Sequence, residues 1–341
     1  MEEYLKQLIH FYPVSSNQQN VKTLLLYVIA HAKSKGLHTA LLKYNDTYNA
    51  YISTRKSKQS RLLLQAHVDV VPAHDQLYAQ EGDKIFGRGC YDMLFATACY
   101  LKLLDDVAEK IPQLDFAIML SGDEELGGFN GVKQFLLDGY STNICILPDA
   151  GNRYGGLNVA AKGIYNCTVR IHGKSHHGSR PWEGDGAASK LVHFLSELEL
   201  VFDASSQENS TLTIAKLEAG MADNQGPAFA DAILDIRYSD KSDLSRITNA
   251  LNQLLSKYNG EIILLVEGSD YQLDTTHPDV DTFVKLYEKQ VGVAIEFTKA
   301  HGSSDARFFS ERNIPVIMLR PNGGGAHGDL EWIYTSSIND F

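Results

Sequence analysis

Cysteine is sparse and scattered. Cys90, Cys99, Cys145 and Cys167 are the four in 341 residues, and none forms a C-x-x-C pair. That spacing excludes a cysteine-built zinc finger and fits a chain kept in a reducing compartment. No stretch approaches the ~18 consecutive apolar residues that a membrane-spanning helix needs. The amino-terminal MEEYLKQLIHFYP carries two acids before any base, so it does not read as a signal or transit peptide. Basic charge is also short: 31 Lys+Arg stand against 42 Asp+Glu, a formal net charge of −11. Nucleic acids and anionic membranes are bound through clustered cations, so neither is expected as a partner, and a cytoplasmic location is expected. What the chain does have is 44% hydrophobic and 10% aromatic residues, enough to exclude a disordered polymer. Its length suits about two domains of ~150 residues.

Short apolar runs at 61–66 (RLLLQA), 115–120 (DFAIML) and 143–147 (NICIL) alternate with helical periodicity at 96–109 and 131–137. This βαβ rhythm predicts a mainly parallel sheet covered by helices. The TYNAYIST segment reads as a packed strand. From about 162 to 272 the rhythm changes to strand (165–172), helix (186–200), strand (211–218), strand (230–238), helix (241–258) and strand (261–267), which fits a small α+β domain with an antiparallel sheet. After His277-Pro278 the first rhythm resumes, with helices near 281–291 and 305–312 and a buried strand at 315–319.

Enzymes built on parallel sheets place their sites beyond the carboxyl ends of the strands. Acids and a histidine occupy those positions here. His67-Val68-Asp69 follows the first run, Asp92 lies 25 residues after His67, Glu124-Glu125 follows the second run, and Asp149 follows the third. Carboxylates that converge repel one another unless a cation neutralises them, and their mixture with imidazole suits zinc better than magnesium. One tetrahedral zinc takes about four ligands, so this many anions points to two metals sharing a bridge. The second histidine this requires is best supplied by His327, just after the 315–319 run and the glycines 323–325, which permit close backbone approach.

LLLQAHVDVVP, FGRGCYDM, SGDEELGG, LPDAG, GKSHHGSRP, the 224–237 segment, GSSDAR and AHGDLE follow one another in this order. Together they resemble the co-catalytic zinc exopeptidases and deacylases, a family that includes acetylornithine deacetylase, succinyl-diaminopimelate desuccinylase, aminoacylase and glutamate carboxypeptidase. The resemblance implies two zinc ions per chain, with cobalt or manganese as possible substitutes. His67 and Asp149 would hold one, Glu125 and His327 the other, and Asp92 would bridge them, leaving Cys90 without a ligand role. It also implies that Glu124 is the general base acting on a bridging water. Asp69, two residues past His67 on an extended chain, would point to the same side and orient the imidazole. His177 would cross a dimer interface to polarise the scissile carbonyl, Asn224 and Arg237 would bind substrate, with Arg237 on its carboxylate, and Ser303 would be a further substrate contact.

The expected architecture is a zinc-exopeptidase-like α/β catalytic domain of residues 1–161 and 273–341, with an inserted α+β lid and dimerisation domain at 162–272. The expected reaction is amide hydrolysis in small carboxylate-bearing substrates by a homodimer. N-acyl amino acid deacylase is the leading class. A strict dipeptidase or aminopeptidase is the alternative, because Asp149 stands where many deacylases have glutamate and where the di- and tripeptidase branches have aspartate. A catalytically silent binding relative is the rival from another class.

Overall fold

The computed structural model describes residues 1–74, 78–151 and 155–341. The chain divides into two compact units, one of Met1–Val159, Gln272–Lys299 and Ser304–Phe341, the other of Ala160–Tyr271 and Ala300–Ser303.

The first unit is organised by a six-stranded sheet in the spatial order His38–Tyr44, Thr47–Ser53, Phe116–Ser121, Gln59–His67, Ser141–Ile146 and Val316–Ile317. The last four run parallel, as the βαβ rhythm predicts. The first two form an antiparallel hairpin added to one edge of this mainly parallel sheet. The hairpin closes through Asn45-Asp46, with Asn45 at φ 51, the left-handed conformation that two-residue turns demand. Phe116–Ser121 is buried along its whole length, which explains its unbroken apolar run. Helix Leu94–Asp106 packs Phe95, Leu101 and Leu104 into the interior. Among the later elements, helix Ala306–Ser310 and strand Val316–Ile317 are shorter than their sequence patterns, while helix Pro278–Val291 begins at Pro278, where a ring-locked φ favours a first helical turn.

The register carries the chain ends of this sheet to one edge. His67 pairs with Ser121, so Asp69 and the 122–125 turn emerge side by side, and Ile146 pairs with Ile317, which brings Asp149 out next to the strand that leads toward His327.

The second unit is a four-stranded antiparallel sheet, ordered Thr211–Ala219, Phe229–Tyr238, Gly163–His172 and Gly260–Gly268. Alternate residues Val169, Ile171, Ala232, Leu234 and Ile236 face helices Ala187–Glu199 and Lys241–Tyr258, whose Phe194, Leu198, Leu251 and Leu255 complete the core. The outer strand Gly260–Gly268 leaves Ile263, Leu264 and Leu265 about half exposed.

Candidate metal centre

Every residue expected to hold metal lies in the first unit, and the fold brings all five together. His67 is buried at the end of its strand; its Nδ1 lies 2.9 Å from the Asp69 main-chain carbonyl. That bond fixes Nδ1 as the protonated nitrogen and turns Nε2 inward, 3.2 Å from Asp92 Oδ1 and 3.7 Å from Asp149 Oδ1. His327 Nε2 approaches the same acid from the other side, 3.4 Å from Asp92 Oδ2, and sits 3.0 Å from Glu125 Oε2. Asp92 therefore presents one carboxylate oxygen to each histidine, and each histidine has a second carboxylate of its own. Among the described residues, His67, Asp92 and Glu125 offer ligand atoms that all lie within 4.8 Å of one another.

The donor set fits divalent metal. Four carboxylates (Asp92, Glu124, Glu125 and Asp149) crowd two imidazoles, and protonating both rings would still leave negative charge in excess. Hydrogen bonds to Asp92 and Glu125 push His327 up to about 10. Burial would lower His67, but hydrogen bonds to Asp149 and Asp92 outweigh it and raise the ring well above its ordinary value. Burial likewise works against ionisation of Asp92, and the hydrogen bonds from His327 and His67 reverse it, holding that carboxyl below the usual range. Protons on the imidazoles occupy the positions that cations would take.

Glu124 and Glu125 begin a single helical turn, Glu124–Leu126, after the buried strand. The Asp69 carboxylate organises this turn: Oδ1 accepts from the Glu124 N–H at 3.1 Å, and Oδ2 accepts from the Glu125 N–H at 3.3 Å and from Ser15 Oγ at 2.8 Å. Asp69 was expected to orient the His67 imidazole. The imidazole is bound by its backbone carbonyl, with the carboxylate 3.6 Å away, because the side chain is already engaged by the neighbouring loop. Burial, then the charge of Asp149, raises Glu124 well above the ordinary carboxylate range. Cys90 is buried with Sγ directed at the Ile85 carbonyl.

The remaining predicted residues lie in the second unit. His176 pairs with Gly226 and His177 with Gln225 in a two-residue ladder. The His176 ring packs where a Cβ on Gly226 would fall, 2.1 Å from its Cε1, whereas His177 is exposed and bonded through Nδ1 to Ser179 Oγ at 2.8 Å. Asn224 is beside His177 and accepts the Gly178 N–H on its main-chain oxygen. Arg237 is not with them. It sits eight residues along strand Phe229–Tyr238, over 20 Å from that strand's start at about 3.3 Å per residue, with its guanidinium forked onto Asp235. Asn224 and Arg237, expected as joint substrate contacts, are therefore separated within one copy. Ser303 falls in the 300–303 segment of the second unit, half-buried.

Sequence reasoning missed two buried acids behind the ligand turn. Asp123 and Asp305 are almost wholly enclosed, and burial pushes them up to about 6 and about 7. Gly128, at φ +66, makes room for Asp305: a Cβ there would lie 2.0 Å from Oδ1. The Asp305 signal was present in the GSSDAR motif, but burial of its carboxyl is not visible from local pattern. It also missed Glu331, which closes the AHGDLE motif.

The model of the peptidase family M20/M25/M40 matches residues 63–340, which spans all five candidate ligands. The chain belongs to this family. Membership makes it a hydrolase of amide bonds. A succinyl-diaminopimelate desuccinylase of Rickettsia massiliae is 25% identical over 336 residues, covering 89% of this chain and 87% of that protein. A succinyl-diaminopimelate desuccinylase of Sulfurovum is 25% identical over 303 residues, covering 83% and 81%. By fold, a tripeptidase from Staphylococcus aureus superposes with a TM-score of 0.84 at 18% identity, covering 99% of this chain and 94% of that one. An M20 metallo-carboxypeptidase from Sulfolobus solfataricus gives 0.77 at 17% identity, covering 100% and 97%.

Proposed function

We propose that this chain is a dinuclear zinc hydrolase that cleaves the amide bond of small carboxylate-bearing substrates, as an N-acyl amino acid deacylase of the desuccinylase or deacetylase type. The observation that carries the reading is the two-sided engagement of Asp92, one oxygen toward His67 and the other toward His327. His67 and Asp149 would hold one ion, Glu125 and His327 the other, with Asp92 between them. When bound, such metals acidify a water and polarise the scissile carbonyl.

Glu124 takes the proton of the attacking water and returns it to the leaving amine. Burial raises its affinity for a proton, the direction that a proton shuttle needs. Asp69 keeps the base in place through the Glu124 N–H. His177 polarises the carbonyl from a neighbouring subunit, and Arg237 holds the substrate carboxylate in fork geometry, exchanging Asp235 for it. The distance between His177 with Asn224 and Arg237 supports a homodimer, because the two ends of one strand can then serve two different sites. The half-exposed apolar residues of edge strand Gly260–Gly268 are the pairing surface in that reading. Four free cysteines support a cytoplasmic setting.

A peptidase acting on di- or tripeptides is the second reading, favoured by aspartate at position 149 and by the names of the structural neighbours. Purified protein supplied with zinc or cobalt and assayed on succinyl-, acetyl- and dipeptide substrates, with its metal content measured, decides. Two metals per chain and hydrolysis of acyl substrates support the deacylase, peptide cleavage alone supports the second reading, and a metal-free inactive chain supports a silent binding relative.

A further inference from the structure

Asp92 and His327 come from loops 235 residues apart in sequence, and one carboxylate joins those loops. Glu331 is fully buried. Its Oε1 accepts from the main-chain N–H groups of Tyr91 and Asp92, both at 2.8 Å, and its Oε2 accepts from the Gly89 N–H and from Arg88 Nη1, both at 2.9 Å. Arg88, also buried, directs Nη2 to the carbonyl of Gly328, the residue after His327, at 2.8 Å. The Gly87 N–H returns to the Glu331 carbonyl at 3.2 Å, and strands Lys84–Phe86 and Trp332–Tyr334 continue the pairing.

Four donors converge on two oxygens, and three of them are backbone groups of the loop that ends in Asp92. Only a carboxylate satisfies this set. The amide of a glutamine would place its own N–H₂ against two N–H donors whichever way it turned. An ordinary buried ion pair asks for no such match to the main chain.

We propose that Glu331 is a positioning residue which, latched by Arg88, fixes the separation of Asp92 and His327 and so sets the geometry in which a second metal is held. The proposal rests on the two-metal reading given above. Asp92 Oδ2 and His327 Nε2 stand 3.4 Å apart only while the 87–92 and 325–331 loops keep their register. The other histidine ligand, His67, is anchored on the sheet and does not depend on the latch.

The test compares wild type with Glu331→Gln and Arg88→Lys. Zinc binding is followed by competition with a chromophoric chelator, the cobalt-loaded forms by visible absorption, and fold integrity by the melting temperature in EDTA. For Glu331→Gln the second ion should bind at least about tenfold more weakly, in the range usual for groups that orient metal ligands, with a smaller loss for the first ion and an altered cobalt spectrum. Arg88→Lys should show the same order of effects at lower amplitude. Should Glu331→Gln not fold, Arg88→Lys carries the test alone. A merely structural role lowers the EDTA melting temperature but leaves zinc affinity and the cobalt spectrum of the folded protein at wild-type values, and that result overturns the proposal. If wild type binds one ion only, the two-metal reading fails by itself, and the latch is judged on that ion's affinity, since Asp92 borders either site.

Discussion

Metal binding at this centre should expel protons in a number set by the structure. In the metal-free fold His327 is held at about 10 by Asp92 and Glu125, and His67 is held well above its ordinary value by Asp149 and Asp92. An ordinary imidazole, with a pKa near 6.5, is only about 3% protonated at pH 8. At about 10, the His327 ring is almost fully protonated. Its side chain is 55% exposed, and halving the shift for solvent screening still leaves about two-thirds of the rings charged at pH 8. Zinc needs both Nε2 lone pairs, so His327 alone should release about 0.6–1 proton per chain, against about 0.03 for an unperturbed ring, and His67, raised in the same direction, adds to that number. The Glu124 carboxyl and an acidified water add to that total. Zinc titration calorimetry on EDTA-stripped protein at pH 8, in three buffers of different ionisation enthalpy, reads the number as a slope. His327→Gln should lower the slope by about 0.6–1. A wild-type slope below about 0.5, or a His327→Gln slope equal to wild type, refutes the reasoning. The sign also fixes a stability trend. Raised imidazoles stabilise the metal-free fold fully below pH ~6.5, and this contribution fades as pH rises through the folded values, about 10 for His327.

Replacing Glu124 by Gln or Ala should leave the metal content intact and lower kcat by roughly 10²–10⁴, the usual weight of a general base; retained turnover with a full metal complement removes Glu124 from the mechanism. Asp92→Ala should lose more metal than any other single ligand change, because its two oxygens serve two sites, and a zinc titration showing two tight ions in that variant contradicts the bridge. Burial pushes Asp305 up to about 7, so its stabilising protonated form is complete below pH ~4 and lost as pH rises through about 7. Asp305→Asn should therefore stabilise the fold at pH 8, on the order of 4 kcal/mol by chemical denaturation, and have little effect at pH 4; equal effects at both would show that ionisation is not the cause. Mixing inactive His177→Ala and Glu124→Ala subunits should restore about a quarter of the sites once subunits exchange randomly, whereas activity that stays at the level of the separate variants after proven exchange means that His177 does not act across an interface.

Much of this centre was legible in the sequence because the relevant signals are local. An apolar run followed by an acid or histidine marks a strand and its carboxyl end, so His67, Glu124-Glu125 and Asp149 could be assigned to one sheet edge from their own neighbourhoods. The second unit was equally readable: Gly163–His172, Phe229–Tyr238 and Lys241–Tyr258 have alternating or helical patterns that stand within a few residues of the observed elements. The sense of strand pairing was less accessible. A buried strand shows the same residues whether its neighbour is parallel or antiparallel, so the edge hairpin of His38–Tyr44 and Thr47–Ser53 emerged only in the fold. Three features were decided by tertiary structure alone. Asp69 gives its carboxylate to the Glu124-Glu125 turn rather than to the imidazole because Ser15 and that turn pack around it. Asp123 and Asp305 acquire their raised proton affinity from burial. Glu331 becomes the anchor of Asp92 across 239 residues of chain. In each case the chemistry depends on which donors surround a carboxylate and how much water reaches it, and segments remote in sequence supply both only when the chain has folded.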